Sequence, residues 1–483
     1  MYCVLDHPFK KTSSQSREAT MKPAIACLII FLCCSCTVSA KPPNILIFLA
    51  DDLGWADLGF QGSSDIRTPN IDRLAARSIR FTDGHVTASV CSPSRAGLLT
   101  GRYQQRFGHE ANTPPPDQGM DLNQQTMADA LKNRGYRTGL VGKWHLGNAD
   151  RFYPTERGFD SFYGLREGSR SYFFSPRRED KPSSTKRIEK NGATVAFDGY
   201  LTDVFGQQAI EFLEDDSEEP FFLYLSFTAP HGPMHATEED LERFKNITDK
   251  KRRIYAAMIW AMDRAIGNVL NSLDKSGRTD NTIVWFLSDN GGATGNGSIN
   301  LPLAGHKGIK FEGGIRVPFL MSWPERFPAG EVYDGLVSSM DIFPTSLAAA
   351  GGNVTDAHLD GVDLMPFLTG EETGPPHQQL FWHKLWFSAM RDNNWKLIYV
   401  KDYGYALYNL TQDREEKQNV ADQHTQRVES MKNQMNIWKS MMEQPRWDEA
   451  LRWFHVHYKN HVNIIEGTDE RTREPLKDSL QVR

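Results

Sequence analysis

Cys91-Ser92-Pro93-Ser94-Arg95 sets a thiol, two hydroxyls and a guanidinium side by side. The run Ala96-Gly97-Leu98-Leu99-Thr100-Gly101-Arg102 that follows reads as a helix starting near Pro93, because proline is tolerated in a first turn. Cys91 then lies at a helix N-terminus, where the macrodipole and free N–H groups favour negative charge. That setting suits a nucleophile that develops an oxyanion and meets an anionic substrate, with Arg95 one turn on to hold the charge. Two other pairs, Asp51-Asp52 and Asp289-Asn290, offer hard oxygen ligands of the kind Ca²⁺ or Mg²⁺ takes. His145 and His231 add groups whose ordinary pKa lies close to neutrality.

These residues are far apart in the chain, so the fold must gather them. Four short apolar runs, 44–50, 138–142, 221–227 and 282–288, read as buried parallel strands, separated by segments with helical periodicity such as 254–273. That is the signature of a layered α/β domain. Polar residues sit where each run stops: Asp51 and Asp52, Lys143 and His145, His231, and Asp289 with Asn290. In open α/β sheets ligands bind outside the carboxyl ends of the strands, so one crevice is expected to receive all four segments. From about Pro375 shorter alternating runs, 387–391, 396–400 and 405–410, predict a small antiparallel meander. Val428, Met431, Met435, Trp438 and Met442 then recur at helical spacing as a packing face.

The chain has 483 residues, enough for one large domain and a smaller one. We expect a leader over 1–40, a catalytic domain over 41–374 and a smaller α+β subdomain over 375–483. A net charge of −6 gives no whole-molecule attraction to nucleic acid or to an acidic membrane, so polyanion binding would need a local patch. Lys22, the apolar stretch 24–38 and Val38-Ser39-Ala40 form the pattern of a signal peptide, with translation starting at Met1 or at Met21. Nothing else in the mature chain is long enough to span a membrane. A secreted or periplasmic protein is expected, with a lipoprotein acylated at Cys36 as the lesser alternative. Of the six cysteines, Cys3, Cys27, Cys33, Cys34 and Cys36 precede the expected cleavage point, which leaves Cys91 alone and excludes an intrachain disulfide in the mature chain. A lone thiol in an oxidising compartment is either inert or chemically used.

Cys91 through Arg102 resembles the Cys-x-Pro-Ser-Arg signature and Leu-Thr-Gly-Arg stretch of the type I sulfatases of the alkaline phosphatase superfamily, whose members include arylsulfatases and N-acetylgalactosamine sulfatases. The resemblance extends from Asn44 to about Ala421. It implies a large mixed, mostly parallel sheet sandwiched by helices, with a smaller C-terminal antiparallel sheet plus helix. It implies that a formylglycine-generating enzyme oxidises Cys91 to formylglycine, whose aldehyde hydrates to a gem-diol. One hydroxyl attacks sulfur, and the other later expels sulfate as the aldehyde reforms. Asp51, Asp52, Asp289 and Asn290, with the modified Cys91, match metal positions for one Ca²⁺, with Mg²⁺ as the alternative. Lys143 would bind the formylglycine or sulfate oxygens, His145 would act as base on the gem-diol, and His231 would protonate the leaving alcohol. In Gly305-His306-Lys307-Gly308-Ile309-Lys310-Phe311-Glu312-Gly313-Gly314, spacing favours Lys307 over Lys310 as the sulfate-binding lysine. A family serine falls nearest Ser169, with its role open.

The implied substrate is a sulfated carbohydrate, a polysaccharide or an oligosaccharide derived from it. Arg166, Arg170, Arg177, Arg178, Lys181, Lys186, Arg187 and Lys190, interleaved with Tyr172, Phe173 and Phe174, suggest a loop that grips such a chain, or else a solvated charged loop. The C-terminal Trp447, Arg452, Trp453, His455, His457 and His461 receive no place. Two other readings stay open: a phosphate or phosphonate ester hydrolase of the same superfamily, and a catalytically inactive binder of sulfated glycans. Asn290 argues against the first, since a second transition metal would call for a histidine there.

Overall fold

Asn44–Ala50 (β1) is buried along its whole length, as a strand must be when both faces of its sheet are covered. The structure, a computed structural model, describes residues 41–181, 183–215, 217–355 and 358–469. The expected leader, 1–40, lies outside the described residues. Nine further strands join β1: Ile79–Phe81 (β2), Arg137–Lys143 (β3), Ser161–Leu165 (β4), Glu189–Lys190 (β5), Ala193–Thr194 (β6), Phe221–Ser226 (β7), Thr282–Ser288 (β8), Phe319–Ser322 (β9) and Val332–Tyr333 (β10). The order across this ten-stranded sheet is β10-β2-β9-β8-β1-β7-β3-β4-β5-β6. Its centre, β8-β1-β7-β3-β4, is parallel, while β9 and the β5-β6 edge run antiparallel.

Successive residues of β1 point to opposite layers. Leu46, Phe48 and Ala50 pack with helices Leu201–Leu213 and Lys250–Lys275, whereas Ile45, Ile47 and Leu49 pack with Ala96, Leu98 and Leu99 of helix Cys91–Thr100 (α1). Burying each leucine, isoleucine or phenylalanine among them contributes roughly 1.5–3 kcal/mol. Register then places the functional edge. Ala50 pairs with Ser288, Leu49 with Ser226, and Gly142 with Ser226, so β1, β8, β7 and β3 end together. The ladder continues one residue further, with Asp51 N–H donating to Ala229 O at 3.0 Å and Asp289 N–H to Ala50 O at 3.0 Å. Gly142 cannot be replaced here. Its φ is +111°, and a Cβ would stand 1.9 Å from Ser226 O.

Gln379–Lys384 (β11), Phe387–Asp392 (β12), Trp395–Val400 (β13) and Gly404–Asn409 (β14) form the antiparallel meander in chain order. The alternating runs account for β12 to β14 but not for β11, whose inward face carries Lys384 beside Leu380 and Trp382 and so masks the period. Met431, Met435 and Trp438 of helix Thr425–Ser440 are buried against this sheet. The unplaced C-terminal segment forms a further helix, Leu451–Ile465 (α2), with His457 and His461 turned inward. No helix among the described residues is long and apolar enough to cross a membrane.

Candidate active site

The common edge of β1, β3, β7 and β8 delivers its terminal residues around one thiol. Helix α1 begins at Cys91 itself, two residues before Pro93, and every residue in it is buried. Cys91 Sγ lies 3.4 Å from Asp51 Oδ1, 3.8 Å from Asp52 Oδ1 and 3.1 Å from Lys307 Nζ. Burial, then the charge of Asp289, pushes the thiol far above its ordinary range. As a thiol this group is therefore protonated and weakly nucleophilic at neutral pH.

Three cations balance the carboxylates. Lys143 Nζ donates to Asp51 Oδ2 at 2.7 Å. Lys307 Nζ stands 2.7 and 2.9 Å from the two oxygens of Asp52. Arg95 donates to Asp289 Oδ2 from Nε at 2.9 Å and stands 2.7 Å from it through Nη2. Burial raises the Asp51 carboxyl, but Lys143, His231, Arg95 and Lys307 together more than reverse this and hold it well below the usual range. Burial and the neighbouring Asp51 instead leave Asp289 raised to about 6. Lys310, the other lysine of its loop, turns away to Ser89 Oγ at 3.2 Å, and its N–H is taken by His461 Nε2 at 3.0 Å.

The two histidines differ. His145 has φ +62°, and its buried Nδ1 has no partner. Burial, then Lys143 and Arg95, push its pKa well below the ordinary value, so the ring is neutral and able to accept a proton. His231 stands at the mouth, its side chain 24% exposed, with Nδ1 2.6 Å from Gly232 O and Nε2 3.6 Å from Asp52 Oδ2. Burial lowers its pKa and the two aspartates oppose that shift.

Ligand atoms of Asp51, Asp52, Cys91 and His231 lie within 4.8 Å of one another, the dimension of a cation site. Asn290 donates through Nδ2 to Asp52 Oδ1 at 2.7 Å, and its buried Oδ1 has no partner. An unpaired amide oxygen beside two carboxylates suits a hard divalent cation. Asp289 is placed differently: Oδ2 serves Arg95, and Oδ1 accepts the Asp52 N–H at 3.2 Å.

Sequence reasoning passed over several supports. Ser226 Oγ accepts from Arg95 Nη1 at 2.5 Å and donates to Lys143 O at 2.8 Å. A serine closing an apolar strand carries no signal of that task. Tyr172 Oη lies 2.5 Å from Thr228 O and 2.8 Å from His231 O, so its one proton is shared between the two carbonyls, and Gly168 packs against the His145 ring. The basic loop thus reaches both histidines. Ser169, beside Gly168, is half-buried.

Residues 43–352 match the family profile described as Sulfatase, and residues 306–443 match the one described as N-sulphoglucosamine sulphohydrolase, C-terminal. The chain is 36% identical over 362 residues to the N-acetylgalactosamine-6-sulfatase of Canis lupus familiaris, spanning 68% of this chain and 66% of that protein. Among solved structures, Ps i-CgsB in complex with k-i-k-neocarrahexaose superposes with a TM-score of 0.80 at 36% identity, covering 87% of this chain and 98% of that one. The phosphonate monoester hydrolase of Agrobacterium radiobacter shares the fold, with a TM-score of 0.63 at 23% identity over 84% of this chain and 97% of that one.

Proposed function

This chain belongs to the sulfatase family, and we propose that it removes sulfate from a sulfated carbohydrate, using a formylglycine made from Cys91 and one Ca²⁺ or, in its place, Mg²⁺. The observation that carries the reading is Cys91 itself: a buried side chain at the start of α1, 3.4 Å from a carboxylate and 3.1 Å from an ammonium. A formylglycine hydrate there would supply an oxygen nucleophile for sulfur, and a cation held by Asp51, Asp52, Asp289 and Asn290, together with the modified Cys91, would supply positive charge for the sulfate oxygens. Arg95, through Asp289, fixes the strand end that carries Asn290. Lys143 and Lys307 bind sulfate oxygens from two sides, which draws negative charge into the crevice and holds it as the S–O bond breaks. His145, neutral and unpartnered at Nδ1, takes the proton from the attacking hydroxyl. His231, at the mouth, gives a proton to the departing sugar oxygen.

The carbohydrate part of the reading is supported by the relatives: one is named for an N-acetylgalactosamine sulfate, and one is seen with a neocarrahexaose. Maturation by a formylglycine-generating enzyme and export to the periplasm or the outside belong to the same reading. Sulfate release from a panel of sulfated mono- and polysaccharides beside matched phosphate esters tests it, with protein co-expressed with that maturase. Release confined to sulfated sugars is expected. Efficient phosphate release without sulfate release would point instead to the phosphatase reading and to a misjudged Asn290.

A further inference from the structure

We propose that Ser92 and His109 are positioning residues that set the backbone of His145 and thereby the aim of its ring at position 91. The inference rests on the reading of His145 as the proton acceptor.

His145 holds a left-handed backbone, φ +62°, that side chains other than glycine seldom adopt. Such a conformation persists only when its surroundings over-determine it. Two contacts do so here. The His145 N–H donates to Arg166 O at 2.9 Å, and the His145 carbonyl accepts from Ser92 Oγ at 2.7 Å. The same Ser92 Oγ lies 2.7 Å from His109 Nε2. A hydroxyl has one proton, and the carbonyl cannot donate, so the Ser92 proton goes to His145 O. His109 must then carry its hydrogen on Nε2 and donate to Ser92 Oγ. This assignment leaves His109 Nδ1 as a bare lone pair, and that buried nitrogen has no partner. The opposite tautomer would bury an unpaired N–H instead, the costlier defect.

The His109 ring is itself braced. Trp447 meets it edge-on with ring centres 4.7 Å apart, and the Trp447 indole N–H donates to Ala111 O at 3.2 Å. Ser92 N–H donates to Asn112 Oδ1 at 3.0 Å, which anchors the first turn of α1 from the same segment. Ser92 directly follows Cys91. One side chain therefore ties the turn that carries the nucleophile to the backbone of the residue that takes its proton. The C-terminal Trp447 closes the chain of contacts from outside the sheet.

Ser92→Ala and His109→Ala test this, with formylglycine content measured by peptide mass spectrometry and rates expressed per converted site. On a sulfated sugar, kcat is expected to fall about 10- to 100-fold, the effect of misplacing a reacting group by a fraction of an ångström to an ångström, while KM moves less than about twofold. Ser92→Thr and His109→Gln keep a hydroxyl and an N–H donor and should recover the rate to within about threefold. In a His145→Ala background, Ser92→Ala should cost nothing further, because the support acts only through that ring. An undiminished kcat in both alanine variants overturns the proposal, as does an equal loss in the His145→Ala background. If His145→Ala alone keeps full kcat, the proton-acceptor reading fails and this inference falls with it. Should Ser92→Ala not fold, the His109→Ala and His109→Gln pair decides.

Discussion

Two clusters of buried charge in this protein have the same make-up and different fates. In the crevice Asp51, Asp52 and Asp289 face Arg95, Lys143 and Lys307; beside the C-terminal sheet Asp83, Glu312 and Glu416 face Arg316, Arg391 and Lys396. Each contains acidic and histidine groups close enough to hold a cation: Asp51, Asp52, Cys91 and His231 in one, Asp83, His85 and Glu312 in the other. Backbone strain does not separate them, since Asp52 and His145 in the first and Glu416 in the second are all left-handed. What separates them is commitment. Glu312 meets His85 at 3.1 Å, Lys396 at 2.8 Å, Arg316 at 3.3 Å and Arg391 at 3.4 Å, so its oxygens are spent. The crevice keeps Asn290 Oδ1 and His145 Nδ1 unpartnered, and Cys91 Sγ lies 3.4 Å from Asp51 Oδ1 at the strand end. The carboxylates of the second cluster are spent on its cations, whereas the crevice also holds an uncharged amide oxygen and ring nitrogen with no partner.

That contrast breaks most sharply at its two centres. Cys91→Ala should lower sulfate release by more than about 10³-fold while leaving the thermal midpoint near that of the parent. Lys396→Met should do the reverse. It leaves Glu416 without its cation and takes one of several partners from Glu312, and should cost about 3–5 kcal/mol in denaturant unfolding, with the rate per folded molecule kept. A stable Lys396→Met protein with lost activity would show that the second cluster belongs to the chemistry.

A chelator sharpens the same contrast at lower cost. Ca²⁺ at a hundredfold excess over its dissociation constant should stabilise the protein by about 2.7 kcal/mol, and EDTA should remove that increment. Asp52→Asn should abolish the Ca²⁺-dependent shift in melting, whereas Lys396→Met should keep it. Smaller still is Tyr172→Phe, which retains the stack on Tyr200 but takes the hydroxyl from the carbonyls of Thr228 and His231. A loss of about 1 kcal/mol is expected. It should appear in kcat for sugar sulfates, whose poor leaving group needs the His231 proton, and not for an aryl sulfate whose phenolate leaves unaided. Equal loss on both substrates would make Tyr172 a packing residue only.

The contrast also explains what the sequence revealed. The central strands were legible because fully buried parallel strands are continuous apolar runs, and their polar terminators marked the crevice edge at Asp51, Lys143 and Asp289. Register did the rest, pairing Ala50 with Ser288 and Gly142 with Ser226. Contacts that depend on tertiary approach were not legible. The bond from Arg95 to Asp289 spans 194 positions, and that from Ser92 to His145 spans 53. β11 was hidden by Lys384, an inward-facing lysine that breaks the expected alternation until its partner Glu449 is seen at 2.7 Å. Helix α2 was hidden by histidines, whose burial against Lys310 no local pattern announces.

The basic loop is where the two kinds of charge mix, and it yields the smallest expected effect. Arg170 is fully committed to Asp180 at 2.6 Å, Arg166 to Glu189 at 2.8 Å, and Arg187 also pairs with Glu189. These side chains are scaffold in the sense that Lys396 is, so they cannot grip a substrate as the composition of the loop suggests. Arg177 and Arg178 remain exposed, in the same stretch as Phe173 and Phe174, which are 40% and 38% exposed. Solvated charges are worth about 0.2–1 kcal/mol each. Arg177→Ser with Arg178→Ser should therefore raise KM for a sulfated polysaccharide by only a few-fold and leave a small aryl sulfate unaffected, with the difference shrinking as salt is added. Arg187→Ser should instead lower the melting temperature and weaken both substrates alike, because it leaves the buried Glu189 beside β4 with Arg166 as its one guanidinium partner. If the exposed pair affects polymer and aryl sulfate equally, the loop is scaffold throughout, and the grip on a sulfated chain must come from the crevice alone.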